Sequence, residues 1–216
     1  VKAKKIMVVE KAVADGLGMG IDVKTSQGVI VVNVGYDTTE ISILSLGGIV
    51  LSRLIKVGGA KFDEAIRNAV RKEFSLIIGG KTAESIKVSI PELHKNGKGA
   101  IVYGRDIVTG LPVEREIPTT LVIDALEEHF NTIIDNVKVI LERTPPELGA
   151  DIYRNGIYLT GGASQVAHLV ERIHNGTGLK VNVSENPLAS VAIGLAKIIN
   201  DDNYKSVAYA IEGMSK

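Results

Sequence analysis

Residues 29–59, VIVVNVGYDTTEISILSLGGIVLSRLIKVGG, decide how the rest of the chain is read. An apolar run from Val29 to Val34 stops at Gly35, and the polar residues Tyr36-Asp37-Thr38-Thr39 follow. Two strand-like runs come next, at 40–46 and 49–57, separated only by Gly47 and Gly48. Tight two-residue turns need positive φ, so two glycines between β-branched runs predict a hairpin. Upstream of it, Gly35 lets the backbone approach a ligand, and the N–H groups and hydroxyls of the turn can point at an anion. A plain three-stranded meander uses the same Gly, Asp and Thr for its turns, so spacing alone leaves both readings open.

Composition narrows the class. A chain of 216 residues with 45% hydrophobic residues can bury one sizeable domain, or two lobes sharing a hinge. Lys+Arg and Asp+Glu balance at 25 each, which argues against a nucleic-acid binder. The absence of Cys excludes disulfides and thiolate metal sites and fits a reducing cytoplasm. No apolar run reaches the ~18 residues that a membrane span needs. Glu10 and Lys11 interrupt the N-terminal apolar stretch too early for a signal peptide. A chain that starts at Val1 instead of Met leads us to expect a fragment or a processed product.

Along the chain, residues 5–9 read as a short strand and residues 10–20 as a helix ending at Gly18 or Gly20. Phe62, Ala65, Ile66, Ala69, Val70 and Phe74 recur at helical spacing over 61–75. Glu84 and Lys87 lie three apart on a further helix, where pattern alone suggests a surface ion pair. Residues 88–117 are read as short strands, including VSIPEL (88–93), around a Thr109-Gly110-Leu111-Pro112 turn. A stripe from Leu121 to Leu141 predicts a long helix opened by Pro118-Thr119 and stopped at Thr144-Pro145-Pro146. His129 falls on that stripe and is read as a packed ring. A strand at 156–159 leads into Thr160-Gly161-Gly162-Ala163-Ser164, with a helix following to about His174. Such a turn aims a helix N-terminus at a ligand. The last strand is expected at 179–183 and a closing helix at 187–200, with a loosely packed or helical tail to Lys216. The four histidines show no metal spacing, and neither Ser164 nor Ser190 lies in a nucleophile elbow, so covalent catalysis has no support.

Taken in order, these motifs resemble the actin-like ATPases, and in particular the bacterial actin MreB, over about residues 4–200. The family's second phosphate loop reads Asp-Ile-Gly-Gly-Gly-Thr-Thr-Glu, followed by the same hairpin and Val-Gly-Gly, matched here by Val57-Gly58-Gly59. Its connecting helix reads Glu-Glu-Pro-x-Ala-Ala-Ala-x-Gly-x-Gly, against Glu10-Lys11-Ala12-Val13-Ala14-Asp15-Gly16-Leu17-Gly18-Met19-Gly20 here. Its Arg-Thr-Ala-Glu-x-Ile-Lys segment is matched by Glu84 and Lys87, which would reach adenosine. Its Leu-Thr-Gly-Gly-Gly adenosine loop is matched by Gly161, Gly162 and Ala163. Gly104-Arg105-Asp106 with Thr109-Gly110-Leu111-Pro112 resembles the outer subdomain that makes longitudinal filament contacts.

The resemblance implies an α/β, actin-like ATPase (ribonuclease H-like) fold, a mixed sheet flanked by helices with a small inserted subdomain. It divides the chain into a connecting strand and helix (1–27), the phosphate-hairpin core and first helix (28–75), the outer subdomain (76–117), the adenosine-loop half (118–200) and a tail (201–216). The first phosphate loop, which precedes the connecting helix in the family, is absent. ATP with Mg is the implied ligand, held by Gly35, Tyr36, Asp37, Thr38, Thr39, Gly58, Gly59, Glu84, Lys87, Gly161, Gly162 and Ala163. The catalytic positions depart from the pattern. Asn33 stands where the family's metal-serving aspartate is, and Lys11 where its water-positioning glutamate is. Tyr36 and Asp37 replace two loop glycines, and Ala60-Lys61 replaces an acidic pair. A tyrosyl ring fills space near phosphate and a carboxylate repels it, so hydrolysis is expected to be impaired.

Three functions follow as expectations. One is a cytoskeletal, cell-shape protein with a degenerate nucleotide site, forming filaments in its full-length form and meeting cell-shape machinery but no nucleic acid. It would be cytoplasmic or brought to the inner face of the membrane by partners or a missing N-terminal part, with no membrane segment in this chain. Another is a working ATPase with Asp37 as a substitute metal carboxylate. The remaining one is a non-polymerising pseudo-ATPase interaction module.

Overall fold

The computed structural model describes residues 6–210, except the side chain of His94. Its main sheet has five strands in the order β3-β2-β1-β7-β8. β1 (Val29–Val34), β2 (Thr39–Ser45) and β3 (Gly48–Ile55) form an antiparallel meander. β7 (Ile157–Thr160) joins the other side of β1 in parallel, and β8 (Val181–Val183) extends the parallel half. All six residues of β1 are buried, as expected of a central strand covered on both faces.

Strand periodicity assigns those faces. Ile30, Val32 and Val34 point into the larger core, with Phe62, Ile66 and Val70 of α2 (Gly59–Phe74) and Leu126, Phe130 and Ile133 of α4 (Thr119–Glu142). Val29 and Val31 point the other way, to Ala12, Val13 and Leu17 of α1 (Lys11–Gly18) and Ile198 of α7 (Ser190–Asn200). Asn33 shares that second parity and is carried to the α1 side. α1 and α7 cross closely enough that a Cβ on Gly18 would lie 1.8 Å from the Ser190 carbonyl oxygen. A Cβ on Gly194 would lie 1.8 Å from that of Ala14. No side chain fits at either position, and this approach sets Ser190 beside the middle of α1.

A second, antiparallel sheet comprises β4 (Leu76–Ile77), β5 (Ala100–Asp106) and β6 (Pro112–Ile117), in that order. α3 (Gly80–Lys95) sits with it and against α2 and α4. After α4 come α5 (Pro146–Asn155), β7, a 3-10 turn at Gly162–Gln165, α6 (Leu169–Thr177), β8 and α7.

Several expectations are corrected. Of the described residues in 5–9, only Val8 makes a β contact, an isolated bridge to Tyr209. The hairpin turn is Leu46-Gly47 and not Gly47-Gly48. Gly48 pairs with Ser45, Leu46 takes φ 51, and its N–H is held by Thr25 O. VSIPEL is helical, because Ala83, Ile86 and Ile90 bury one face of α3 and outweigh the β-branched content and Pro91. α5 was not foreseen, although Pro146 at its first turn suits a helix start. The helix expected to follow Ser164 as far as about His174 breaks at His168, whose φ of 66 separates the 3-10 turn from α6. His129 lies half-buried with its ring 6.0 Å from that of Phe62. Residues 201–210 form a 3-10 turn, Asp202–Val207, and the bridge to Val8, while Lys5 and residues 211–216 lie outside the described residues.

Candidate functional site

Parallel β1 and β7 end side by side, and a glycine turn follows each. The turn after β1 closes through the Gly35 N–H, which donates to Thr38 O at 2.9 Å. α2 starts directly against it: Gly59 N–H donates to Gly35 O at 3.0 Å and Ala60 N–H to Tyr36 O at 2.8 Å. A Cβ on Gly58 would come within 2.6 Å of both carbonyl oxygens, so the second glycine pair is fixed by backbone approach. The N–H groups of Tyr36, Asp37 and Thr38 meet no backbone acceptor among the described residues. Tyr36 and Asp37 are exposed and Thr38 is half-buried. Thr39 is fully buried, and its hydroxyl donates to Val57 O at 2.8 Å, which commits it to the hairpin.

The turn after β7 is tighter. Gly161 has φ 92, and a Cβ there would lie 2.3 Å from Val34 O. Its N–H donates to Pro187 O, while its carbonyl accepts from Ser164 N–H and Oγ. Gly162 and Ala163 are left half-buried.

α3 closes the space between the two turns. Glu84 is exposed and does not pair with Lys87. Lys87 instead reaches across to α2, with Nζ 2.8 Å from Asp63 Oδ1, and both residues are nine-tenths buried. Tyr36, Gly59, Glu84, Lys87, Gly162 and Ala163 line one cleft of about 550 Å³, with Val88, Val166 and Leu188 supplying apolar wall. A methyl placed on Gly59 would meet Ala163 Cβ at 3.5 Å, Lys87 Nζ at 3.6 Å and Tyr36 Cδ2 at 3.6 Å. Four separate segments therefore converge on one point. The size and the mix of apolar wall with a few polar groups suit a small organic ligand.

Behind the β1 turn lies a buried polar cluster. Asn33 Nδ2 donates to Asp15 Oδ2 at 2.7 Å, and Ser190 Oγ donates to Asp15 Oδ1 at 2.6 Å. With its proton given to Asp15, Ser190 accepts from Thr160 Oγ1 at 2.8 Å. Burial pushes the Asp15 carboxyl above the ordinary carboxylate value, against the hydrogen bonds from Ser190 and Asn33, which pull it down. At the start of α1, Lys11 Nζ is 3.0 Å from Glu40 Oε2, and Glu10 accepts from the Tyr209 hydroxyl. Lys61, in the place of an acidic residue, pairs with Glu64 on the surface. Among the described residues no group of three or more His, Asp or Glu could hold a metal, and no helix is long and apolar enough to cross a membrane.

A family model described as MreB/Mbl protein matches residues 1–206. The chain belongs to the MreB/Mbl family. The cell shape-determining protein MreB of Escherichia coli K12 is 36% identical over 199 residues, covering 91% of this chain and 57% of that protein. Cell shape-determining protein Mbl of Bacillus subtilis is also 36% identical, covering 92% and 60%. Among solved structures, MreB5 of Spiroplasma citri bound to ADP is 38% identical with a TM-score of 0.85, covering 92% of this chain and 60% of that one. A MamK double helical filament, at 22% identity and TM-score 0.69, shares the fold. The fold is thus actin-like, a mixed sheet flanked by helices, and the chain spans 57% to 60% of the length of these MreB and Mbl relatives.

Asp15, Asp63, Ser190 and Thr160 were not singled out as site residues from the sequence. Two signals were available: a carboxylate inside the small apolar run Ala12-Val13-Ala14-Asp15-Gly16-Leu17, and an amide inside an otherwise apolar strand. Buried polar residues of that kind need partners.

Proposed function

We propose that this chain acts as a bacterial-actin protein of the cell-shape cytoskeleton that binds an adenine nucleotide in the cleft between the two glycine turns and turns it over slowly. The observation that carries the reading is the convergence of Tyr36, Gly59, Lys87 and Ala163 within 4 Å of one point. Support comes from relatives: MreB5 structures are bound to ADP and to AMPPNP. The open N–H groups of residues 36–38 suit the phosphates, Gly58-Gly59 keeps α2's start close to them, and Glu84, Lys87 and Gly161 to Ala163 suit the nucleoside. Thr39 supports the turn from behind.

Magnesium takes oxygen donors, and neutral oxygens are what the β1 end and its turn offer: the Asn33 amide oxygen and the Thr38 hydroxyl. The cation would neutralise phosphate charge there. Slow turnover follows from Lys11, whose ammonium is engaged by Glu40 and cannot accept a proton from water. Self-association into filaments, through a surface that includes the second sheet, and meeting cell-shape partners at the inner face of the membrane complete the reading.

Calorimetry of ADP and ATP with magnesium tests it. We expect saturable binding at or below about 1 mM, with phosphate release slow and only marginally above background. No heat at millimolar nucleotide overturns the nucleotide reading. Sedimentation with and without ATP tests assembly separately.

A further inference from the structure

The buried Asp15 has no part in the cleft itself, yet it bonds the one polar side chain of β1, next to the end of the strand that carries the phosphate turn. Asn33 sits at the C-terminal end of β1 and is 7% exposed. Its Nδ2 is spent on Asp15, so its Oδ1 is turned to the other side, 3.8 Å from the position of a Cβ on Gly35. That oxygen accepts no hydrogen bond from the described residues. An asparagine amide can present either a donor or an acceptor, and the two orientations have the same shape. Turning it over here would place Oδ1 against Asp15 Oδ2 at 2.7 Å, oxygen against acceptor, which burial makes costly. Asp15 in turn cannot rotate away, because Ser190 holds its other oxygen and Thr160 holds Ser190. Gly18 and Gly194 let α1 and α7 approach closely enough for that contact.

We propose that Asp15 is a positioning residue for the cation of the nucleotide site: it locks Asn33 so that a neutral amide oxygen, and never an amide N–H, faces the β1 turn. The inference rests on the nucleotide reading above. A hydrated divalent cation is repelled by an N–H donor and accepted by an amide oxygen, so the lock decides whether Asn33 helps or hinders. The carboxylate stands one residue further back than a strand carboxylate would, on α1 instead of β1. In the motifs quoted above, this chain has an amide at 33 where the family has an acid, and an acid at 15 where it has alanine. The carboxyl group has moved across one hydrogen bond, from β1 to α1.

Two measurements on this chain test the proposal. In the first, side-chain amide hydrogen exchange of Asn33 is followed by NMR in the unliganded wild-type chain. Protection at least about tenfold above that of exposed asparagines such as Asn186 is expected, and exchange at the exposed rate overturns the lock. In the second, the ADP dissociation constant is measured by calorimetry with magnesium and with EDTA for wild type, Asp15→Ala and the double variant Asp15→Ala/Asn33→Asp. The preference for magnesium is expected to fall at least about fivefold in Asp15→Ala and to return in the double variant, which puts a carboxylate on β1. A structural role would lower the melting temperature and leave that preference unchanged within about twofold, which overturns the proposal. If Asp15→Ala does not fold, the exchange measurement and the wild-type pair of titrations still decide, because an unprotected Asn33 amide or a wild type indifferent to magnesium overturns the proposal. Wild type binding ADP in neither condition fails the nucleotide reading as well, whereas binding ADP equally in both fails this inference alone.

Discussion

The turns after β1 and β7 stand at the same end of two neighbouring parallel strands, yet they are built on opposite principles. The β7 turn is held by contact: Gly161 lies against the Val34 backbone with φ 92, and its own N–H and C=O are both engaged. The β1 turn is held only at its base, by Gly35 N–H and by the first turn of α2, while Tyr36 and Asp37 project into solvent. A close-packed turn constrains its residues through stability. An open turn constrains them only through whatever they bind. That difference explains how the β1 turn can hold a tyrosine and an aspartate with the fold intact, while the β7 turn keeps its glycine pair.

The sharpest way to break the comparison is to put a methyl group on Gly161. Gly161→Ala combines positive φ with a backbone overlap that no rotamer relieves, and we expect a loss of about 4 kcal/mol or failure to fold. Tyr36→Gly and Asp37→Gly should each stay within about 0.5 kcal/mol of wild type in the same thermal melts. A Gly161→Ala variant as stable as those two would end the distinction.

Next in size is the ion pair that closes the cleft from α3. Lys87→Met leaves Asp63 buried beside an apolar chain, and we expect a cost of about 3 kcal/mol by denaturant titration. Lys87→Met with Asp63→Asn should recover much of it, because the second change removes the stranded charge. Equal losses in the single and double variants would mean that Asp63 reaches water once Lys87 is gone.

The sheet, the hairpin and the long helix were legible because their periodicities are long and their apolar faces continuous. What the sequence hid were contacts between elements far apart in the chain. Asp63 and Lys87 lie on two helices, and nothing in the helical spacing of Glu84 and Lys87 shows that the lysine turns from its neighbour to α2. Asp15, Asn33, Thr160 and Ser190 come from four elements, and only the crossing at Gly18 and Gly194 brings them together. Local errors have local causes as well. Pro91 and the β-branched residues of 88–93 suggested strand, but burial of Ile86 and Ile90 on one face prevailed, as tertiary packing commonly overrides propensity. The shift of the hairpin turn to Leu46-Gly47 depends on Val23 and Thr25, whose carbonyls receive the turn's N–H groups. No two-residue motif encodes that.

The open turn also allows a binding test free of stability effects. Asp37 adds negative charge where phosphate is proposed to sit, at an exposed position where Coulomb energies are small. Asp37→Asn should therefore tighten ADP about threefold to fivefold at low salt, with the gain shrinking as salt rises. A loss of affinity confined to magnesium-containing buffer would instead make Asp37 a metal carboxylate and revive a working ATPase.

The smallest effect concerns a turn far from the cleft, and it asks whether an open turn can be held by charge alone. Asp106 Oδ1 accepts from Thr109 N–H at 2.7 Å, Thr109 Oγ1 at 3.0 Å and Val108 N–H at 2.9 Å, between β5 and β6. Those donors, the Thr109 backbone foremost, hold its carboxyl below the ordinary carboxylate value. A folded-state value below the unfolded one means that the stabilisation is complete above the unfolded value, near pH ~4, and is lost as pH falls through the folded value. Asp106→Asn keeps an acceptor oxygen and loses the charge. Its amide exchange at Val108 and Thr109 should be faster than wild type at neutral pH, and the two should converge as the solution is acidified below about pH 4. A gap that persists unchanged into acid would show that the turn is held by the shape of Thr109-Gly110-Leu111-Pro112, with Gly110 at φ 73, and that the carboxylate adds nothing beyond an oxygen in the right place.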